Sequence, residues 1–166
     1  PTISATGGIN AACEGESIEL TANSLGAVSY KWYQNGAVIG GATGSIYNAT
    51  TTGNYTVSAL NANGCESDQS AAIAITIHNL PVKPSITTND NLQICEGEFI
   101  KLTSSVGVLY EWYHNGNPIQ FPSDADPSVM VTVSNKQTID VNMAGTYTVK
   151  VYNTQGCASV QSDAVV

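Results

Sequence analysis

The chain repeats itself. Residues 13–20, CEGESIEL, return at 95–102 as CEGEFIKL, and YKWYQNG at 30–36 returns at 110–116 as YEWYHNG. GNYTV at 53–57 matches GTYTV at 145–149, Gly64-Cys65 matches Gly156-Cys157, and Gln69-Ser70 matches Gln161-Ser162, all in one order. An ordered duplication of this kind means one supersecondary module built twice. The offset is 82 residues at the first cysteine, 80 at the tryptophan and 92 at the tyrosine, so the second copy carries a 12-residue insertion within about 120–137. Pro1-Thr2-Ile3 matches Pro84-Ser85-Ile86 across a short, proline-stiffened joint at 81–83. The expected domains are therefore 1–80 and 84–166. The chain opens at Pro1 with no initiator Met or signal segment, and its last strand stops half complete at Val166. It is expected to be a piece of a longer array.

Within each copy the apolar period is two. Ile18, Leu20 and Ala22 alternate with Glu19 and Thr21; Tyr147, Val149 and Val151 alternate with Thr148, Lys150 and Tyr152. That is the pattern of half-buried antiparallel strands. Asn35-Gly36 and Asn115-Gly116 directly follow such strands and favour two-residue hairpins. No stretch of eleven residues carries a helical stripe. The predicted fold class is all-β, two β-sandwiches in tandem. The finer pattern is immunoglobulin-like. Trp32 and Trp112 take the place of the core Trp on the third strand, and Tyr55 and Tyr147 that of the tyrosine corner. Val57 and Val149 stand where antibody domains carry a cysteine, so the inter-sheet disulfide is missing.

Four cysteines, Cys13, Cys65, Cys95 and Cys157, allow three disulfide connectivities. No CxxC pair or neighbouring His suggests zinc, and disulfides would imply an oxidising compartment. In the immunoglobulin-like arrangement the cysteines fall before strand two and after strand six. These positions are expected to meet at one end of the sandwich, pairing Cys13 with Cys65 and Cys95 with Cys157, one intradomain bridge per copy. Each would contribute roughly 4 kcal/mol by loop entropy, and reduction should lower the melting temperature sharply.

The ordered set C-x-G-x-x-I-x-L, Y-x-W-Y-x-N-G-x-x-I, G-x-Y-T-V and G-C resembles bacterial Ig-like modules of the Bacteroidetes type. The likeness covers essentially the whole chain, twice. A related PKD-type module carries W-x-F-G-D-G; here Trp is followed by Tyr-Gln-Asn-Gly and Tyr-His-Asn-Gly, which places the match on the Ig-like branch. The resemblance implies an extracellular or cell-surface location, with roles as spacer, adhesive stalk or accessory to carbohydrate-degrading enzymes. It implies no shared catalytic residues and no cofactor. Implied partners are other domains of the same parent chain, and glycans or surface proteins.

Charge narrows the partners further. Thirteen acids face five lysines and no arginine, a net charge of −8. Phosphate backbones and anionic lipid both demand basic patches, so neither nucleic acid nor a lipid surface is expected. No apolar run of about 18 residues exists to span a bilayer.

Three candidate sites stand against ordinary readings. Tyr33, Glu111, Tyr113, Lys150 and Tyr152 point away from the core by the period-two rule, and flat aromatic rings beside polar groups could stack on sugars. The ordinary reading is strand-favouring tyrosines and a Glu111–Lys150 cross-strand pair. Asp124 and Asp126, in the insertion, resemble the start of a calcium loop but lack the following Gly and the bidentate Glu; a polar turn between prolines is the ordinary reading. The apolar run 129–133 could add an edge strand. Asp90, within Asn89-Asp90-Asn91, resembles a cation-stiffened joint but lacks acidic partners, and a turn explains it. His78 and His114 are not shared between the copies, and no nucleophile has a base at a recognisable spacing. The expected function is a non-catalytic extracellular spacer or adhesion stalk. The alternative is a carbohydrate-binding accessory module of a secreted polysaccharide-degrading enzyme.

Overall fold

Alternating side chains build sheets with one face buried, and each copy of the module folds around its own core. The computed structural model describes residues 1–88, 91–93 and 95–166. It divides into two units, Pro1–Asn79 and Leu80–Val166.

The first unit has eight strands: β1 (Thr2–Ala5), β2 (Ala11–Cys13), β3 (Ile18–Asn23), β4 (Ser29–Gln34), β5 (Ala37–Val38), β6 (Ile46–Ala49), β7 (Gly53–Leu60) and β8 (Ile73–His78). They form two sheets, ordered β1-β3-β6 and β2-β8-β7-β4-β5, with β2 parallel to β8 and the other pairs antiparallel. Along β3, Ile18, Leu20 and Ala22 are buried while Glu19 and Asn23 are exposed. Leu20, Trp32, Ala49, Tyr55 and Val57 are wholly excluded from solvent and Ile75 nearly so. Each large apolar side chain so buried contributes about 1.5–3 kcal/mol.

The polar ends of the two core aromatics are satisfied locally. Trp32 Nε1 donates to the Gly44 carbonyl at 2.8 Å, and Tyr55 Oη donates to the Thr51 carbonyl at 2.8 Å. Asn35 and Gly36 both have positive φ, 50° and 81°, the two-residue turn whose twist matches the flanking strands. The Asn35 side-chain oxygen accepts from Asn54 N at 2.9 Å and ties this turn to β7.

Among its described residues the second unit repeats the plan with nine strands: β9 (Ile86–Thr87), β10 (Ile100–Ser104), β11 (Leu109–His114), β12 (Asn117–Pro118), β13 (Phe121–Pro122), β14 (Met130–Val131), β15 (Val133–Ser134), β16 (Thr138–Val141) and β17 (Tyr147–Tyr152). One sheet is ordered β16-β10-β9; in the other, β11 pairs with β12, β15 and β17. Trp112 and Val149 are wholly buried, and Tyr147 is nearly so. Trp112 Nε1 donates to the Lys136 carbonyl and Tyr147 Oη to the Met143 carbonyl, both at 2.8 Å. Asn115 and Gly116 adopt the same turn, at φ 50° and 79°, and Asn115 Oδ1 accepts from Thr146 N at 2.9 Å. Val165 exchanges backbone hydrogen bonds of 2.8 and 3.0 Å with Tyr147, in the register that Ile73 has with Tyr55.

The insertion supplies β13, β14 and β15. The run 129–133 is not one edge strand but two pieces: Met130–Val131 folds back on Phe121–Pro122, and Val133 pairs with Glu111. A turn divides them from the preceding loop. Val129 N bonds to the Asp126 carbonyl at 2.9 Å and Ser123 N to the Val129 carbonyl at 2.8 Å, turning the first half of the run onto β13.

The cysteines correct the expected pairing. Cys13 and Cys157 are disulfide-bonded, whereas Cys65 and Cys95 are free and exposed. Neither Cys13–Cys65 nor Cys95–Cys157 forms. Strand direction explains why. Cys13 is level with His78 at the end of β8, while Cys65 lies beyond the far end of β7, where Leu60 bridges Glu66. Since Gly53 is level with Ile75, about ten residues of strand, roughly 33 Å, separate the two levels. A disulfide tolerates at most about 7 Å between Cα atoms. In the second unit Cys95 lines a cavity with Gly145 and Tyr147, at the start of β17, while Cys157 follows its end. The loop-entropy gain and the reductant sensitivity expected of intradomain bridges therefore do not apply to either unit.

Candidate functional site

Each unit gathers tyrosines around one carboxylate on its β4–β7 or β11–β17 pair. In β4, Trp32 enters the core, so Lys31 and Tyr33 project from the other face. Opposite them on β7 stand Ser58 and Thr56. Glu66, just past Cys65, closes over this face. Its Oε1 accepts from Ser58 Oγ at 2.6 Å and Tyr33 Oη at 2.7 Å, and its Oε2 from Lys31 Nζ at 3.3 Å. Lys31 Nζ also lies 5.6 Å from the centre of the Tyr33 ring. Tyr33, assigned to an open ligand face by the alternation alone, is only 7% exposed beneath this cover.

The donors act on the carboxylate. Hydrogen bonds from Ser58, Tyr33 and Lys31 hold Glu66 down to about 2, from an ordinary 4.5. Because the folded value is the lower one, the cluster's contribution is complete above pH 4.5 and fades as pH falls toward 2. The urea midpoint of the first unit should therefore drop across that window. In Glu66→Gln this component of the acid sensitivity should disappear. An acid profile identical to that of the parent chain would show that Glu66 carries no such linkage.

The second unit reverses the charges around the same tyrosine. Glu111 stands where the first unit has Lys31, and Lys150 where it has Ser58. Glu111 Oε2 accepts from Tyr113 Oη at 2.6 Å and from Tyr152 Oη at 3.0 Å. Lys150 is level with Glu111 across the strands, but its Nζ lies 5.5 Å from the centre of the Tyr113 ring. Burial, and then the Glu111 carboxylate, push Tyr152 up to about 12; the same causes push Tyr113 well above the ordinary tyrosine range. Both phenols stay neutral donors to Glu111 at physiological pH.

Other candidates lie apart. Asp126 Oδ1 accepts from Ser128 N at 2.9 Å and Ser128 Oγ at 2.7 Å, which lowers its pKa and makes it the anchor of a turn. Asp124 is exposed in the same loop. Asp90 lies outside the described residues. Among the described residues no group of three or more His, Cys, Asp and Glu gathers at metal-binding distance. His114 stacks on the Tyr147 ring at 4.7 Å, with Nε2 3.1 Å from the Ala144 carbonyl, beside the second tyrosine corner. No helix among the described residues is long and apolar enough to cross a membrane.

Sequence reasoning missed Glu66, Ser58 and Lys31. The duplicated motifs drew attention to what the copies share, and Glu66 corresponds to Ala158 in the second copy. Its position directly after Gly64-Cys65, on the return toward the β7 edge, was the available signal.

Residues 1–78 match the family described as "Ig-like domain CHU_C associated". The first unit belongs to this Ig-like family. The match spans that Ig-like unit almost end to end, and the second unit repeats its motifs. No curated protein matches the chain. Among solved structures, the chain is similar to murine CEACAM1b at 17% identity, covering 99% of this chain and 96% of that one, with a TM-score of 0.43. It is similar to the human OSCAR ligand-binding domain at 15% identity, covering 100% and 97%, with a TM-score of 0.39. It is also similar to three N-terminal domains of the Highly Immunogenic Outer Capsid protein of bacteriophage RB49, at 14% identity, covering 97% and 57%, with a TM-score of 0.43. Likeness at these scores assigns no function to this chain.

Proposed function

We propose that the chain is a non-catalytic, extracellular segment of Ig-like modules that serves as a spacer or adhesion stalk of a large secreted or surface protein. The observation that carries this reading is the internal commitment of the polar groups on each outer sheet face. Glu66 is occupied by Tyr33, Ser58 and Lys31, and Glu111 by Tyr113 and Tyr152. Carboxylates and phenols so engaged hold strands together and are poorly placed to serve as acid, base or ligand contact. The Ig-like family of the first unit and the resemblance of both copies to surface modules support the same reading. The acidic, arginine-free composition suits a stalk, because like net charge keeps modules soluble and apart. Its partners are the other domains of the parent chain.

A carbohydrate-binding module would need Tyr113 and Tyr152 to stack on sugar rings. The deciding experiment is a pull-down of the full chain on insoluble polysaccharides together with a soluble glycan panel. No retention is expected. Retention that disappears in Tyr113→Ala and Tyr152→Ala would establish the carbohydrate-binding alternative and overturn the spacer reading.

A further inference from the structure

In the first unit β8 lies between β7 and β2. Gly53 pairs with Ile75, and Ala11, Ala12 and Cys13 pair with Thr76, Ile77 and His78. Ile75 is 1% exposed in the core, and Ile77 packs against that core. The second unit begins the same arrangement with Val165 opposite Tyr147, in the place of Ile73. Val166 then corresponds to Ala74, and the pairing goes no further among the described residues.

The β17 edge at Gly145 is therefore open, and an apolar cavity lies beside it. Tyr147 and Val165 exchange both backbone hydrogen bonds. Such pairs alternate along an antiparallel ladder, so Gly145 turns its N–H and C=O toward the same edge. Neither group has a hydrogen-bond partner among the described residues. β17 starts only at Tyr147, whereas β7 starts at Gly53, the counterpart of Gly145. Gln93 and Cys95, the counterparts of Ala11 and Cys13, belong to no strand. The cavity, of about 410 Å³, is lined by Cys95, Ile100, Leu102, Gly145, Tyr147 and Val165. Glu96 also lines it, and among the described residues no lysine does.

We propose that this edge and cavity form a strand-acceptor site, filled by an extended segment of a separate polypeptide. The segment runs antiparallel to β17, continues the Tyr147–Val165 ladder and offers its main chain to Gly145. Its alternate β-branched residues, spaced as Ile75 and Ile77 are in β8, enter the cavity, because side chains two apart share a face. With Glu96 and no lysine in the lining, a neutral or basic segment fits. The site stands apart from the spacer reading. It joins the module to a partner through a strand edge rather than a sheet face, and glycan retention does not report on it.

The probe is the peptide of residues 75–83, ITIHNLPVK, acetylated and amidated, added to the full chain at millimolar concentration. Trp112 reports the second unit in a Trp32→Phe chain, and Trp32 the first in a Trp112→Phe chain. The urea midpoint of the second unit should rise with peptide concentration. That of the first, whose β7 edge is paired with β8, should not change. The Gly145 amide should exchange about tenfold more slowly at saturation. A peptide carrying Ile75→Asp and Ile77→Asp should have neither effect. An equal rise in both units, an equal effect of the Asp peptide, or no rise at all would overturn the proposal. So would a rise seen only when the segment is joined covalently after Val166, because the groove would then take no strand from a separate chain.

Discussion

Trp32→Ala is expected to unfold the first unit, and Trp112→Ala the second. Both indoles are wholly buried at the centre of their cores. Truncating a buried Trp costs about 3–5 kcal/mol through lost transfer energy and the cavity left behind. It also removes the indole N–H bond to the Gly44 or Lys136 carbonyl, adding about 0.5–1.5 kcal/mol. A domain of this size has a net stability near the lower end of about 5–15 kcal/mol, so the loss approaches the whole. The chain has only two tryptophans, one per unit, so each variant retains one fluorescent reporter in the untouched unit. Far-UV circular dichroism should lose part of its amplitude while the remaining tryptophan keeps its native emission and urea midpoint. Trp→Phe at either site retains most of the volume and should cost less. A Trp→Ala variant with the parent chain's full amplitude and midpoints would contradict the core assignment.

Gly145→Ala is the second large effect. Gly145 has φ of 145°, where an L side chain is strained at a cost of about 1–3 kcal/mol. A Cβ there would overlap His114 Nε2 and lie 2.5 Å from Asn115 Oδ1. Neither neighbour can yield easily: His114 is stacked on Tyr147, and Asn115 Oδ1 holds Thr146 N. Overpacking of this kind adds about 1–3 kcal/mol. Gly53 occupies the matching place in the first unit but has no positive φ, and its added Cβ would meet the Gln34 side chain, with Nε2 at 2.9 Å and Cγ at 3.0 Å, where a shift disturbs the Nε2 bonds to Thr51 and Thr52 but strains no backbone. Gly145→Ala should therefore lower the urea midpoint of the second unit clearly, while Gly53→Ala lowers that of the first much less. Equal or reversed shifts would refute this difference.

These positions also show what the sequence made legible. Trp32, Tyr55, Trp112, Tyr147 and the two Asn-Gly turns follow from local rules, namely period-two alternation, turn chemistry and a polar tip needing a nearby carbonyl. Such features are determined within a strand or between adjacent strands. The cysteines depend on something longer-ranged. β7 runs antiparallel to β4, and β4 follows β3 by a reversal, so the end of β7 and the start of β3 lie at opposite ends of the unit. Counting strand directions, rather than matching motifs, would have separated Cys13 from Cys65. The candidate face was half legible for a related reason. Alternation correctly turned Tyr33 away from Trp32, but its exposure depended on Glu66, a residue the second copy does not repeat. Within the insertion, the run 129–133 divides at Thr132, and the turn closed by Asp126 and Val129 sends its first half back onto β13; strand propensity carried no sign of either.

The Asn-Gly turns have a chemical consequence for the lifetime of the molecule. Asn-Gly is the dipeptide most prone to deamidation, because the small glycine lets its backbone nitrogen attack the asparagine carboxamide and form a succinimide. Here both carboxamides are held by their oxygens, Asn35 on Asn54 N and Asn115 on Thr146 N, each at 2.9 Å. The same bonds that fasten each hairpin to the neighbouring strand restrain the carboxamide from the rotation that attack requires. The folded units are thereby slowed in chemical ageing at these two of the chain's three Asn-Gly steps, and an unfolded chain loses that protection at both.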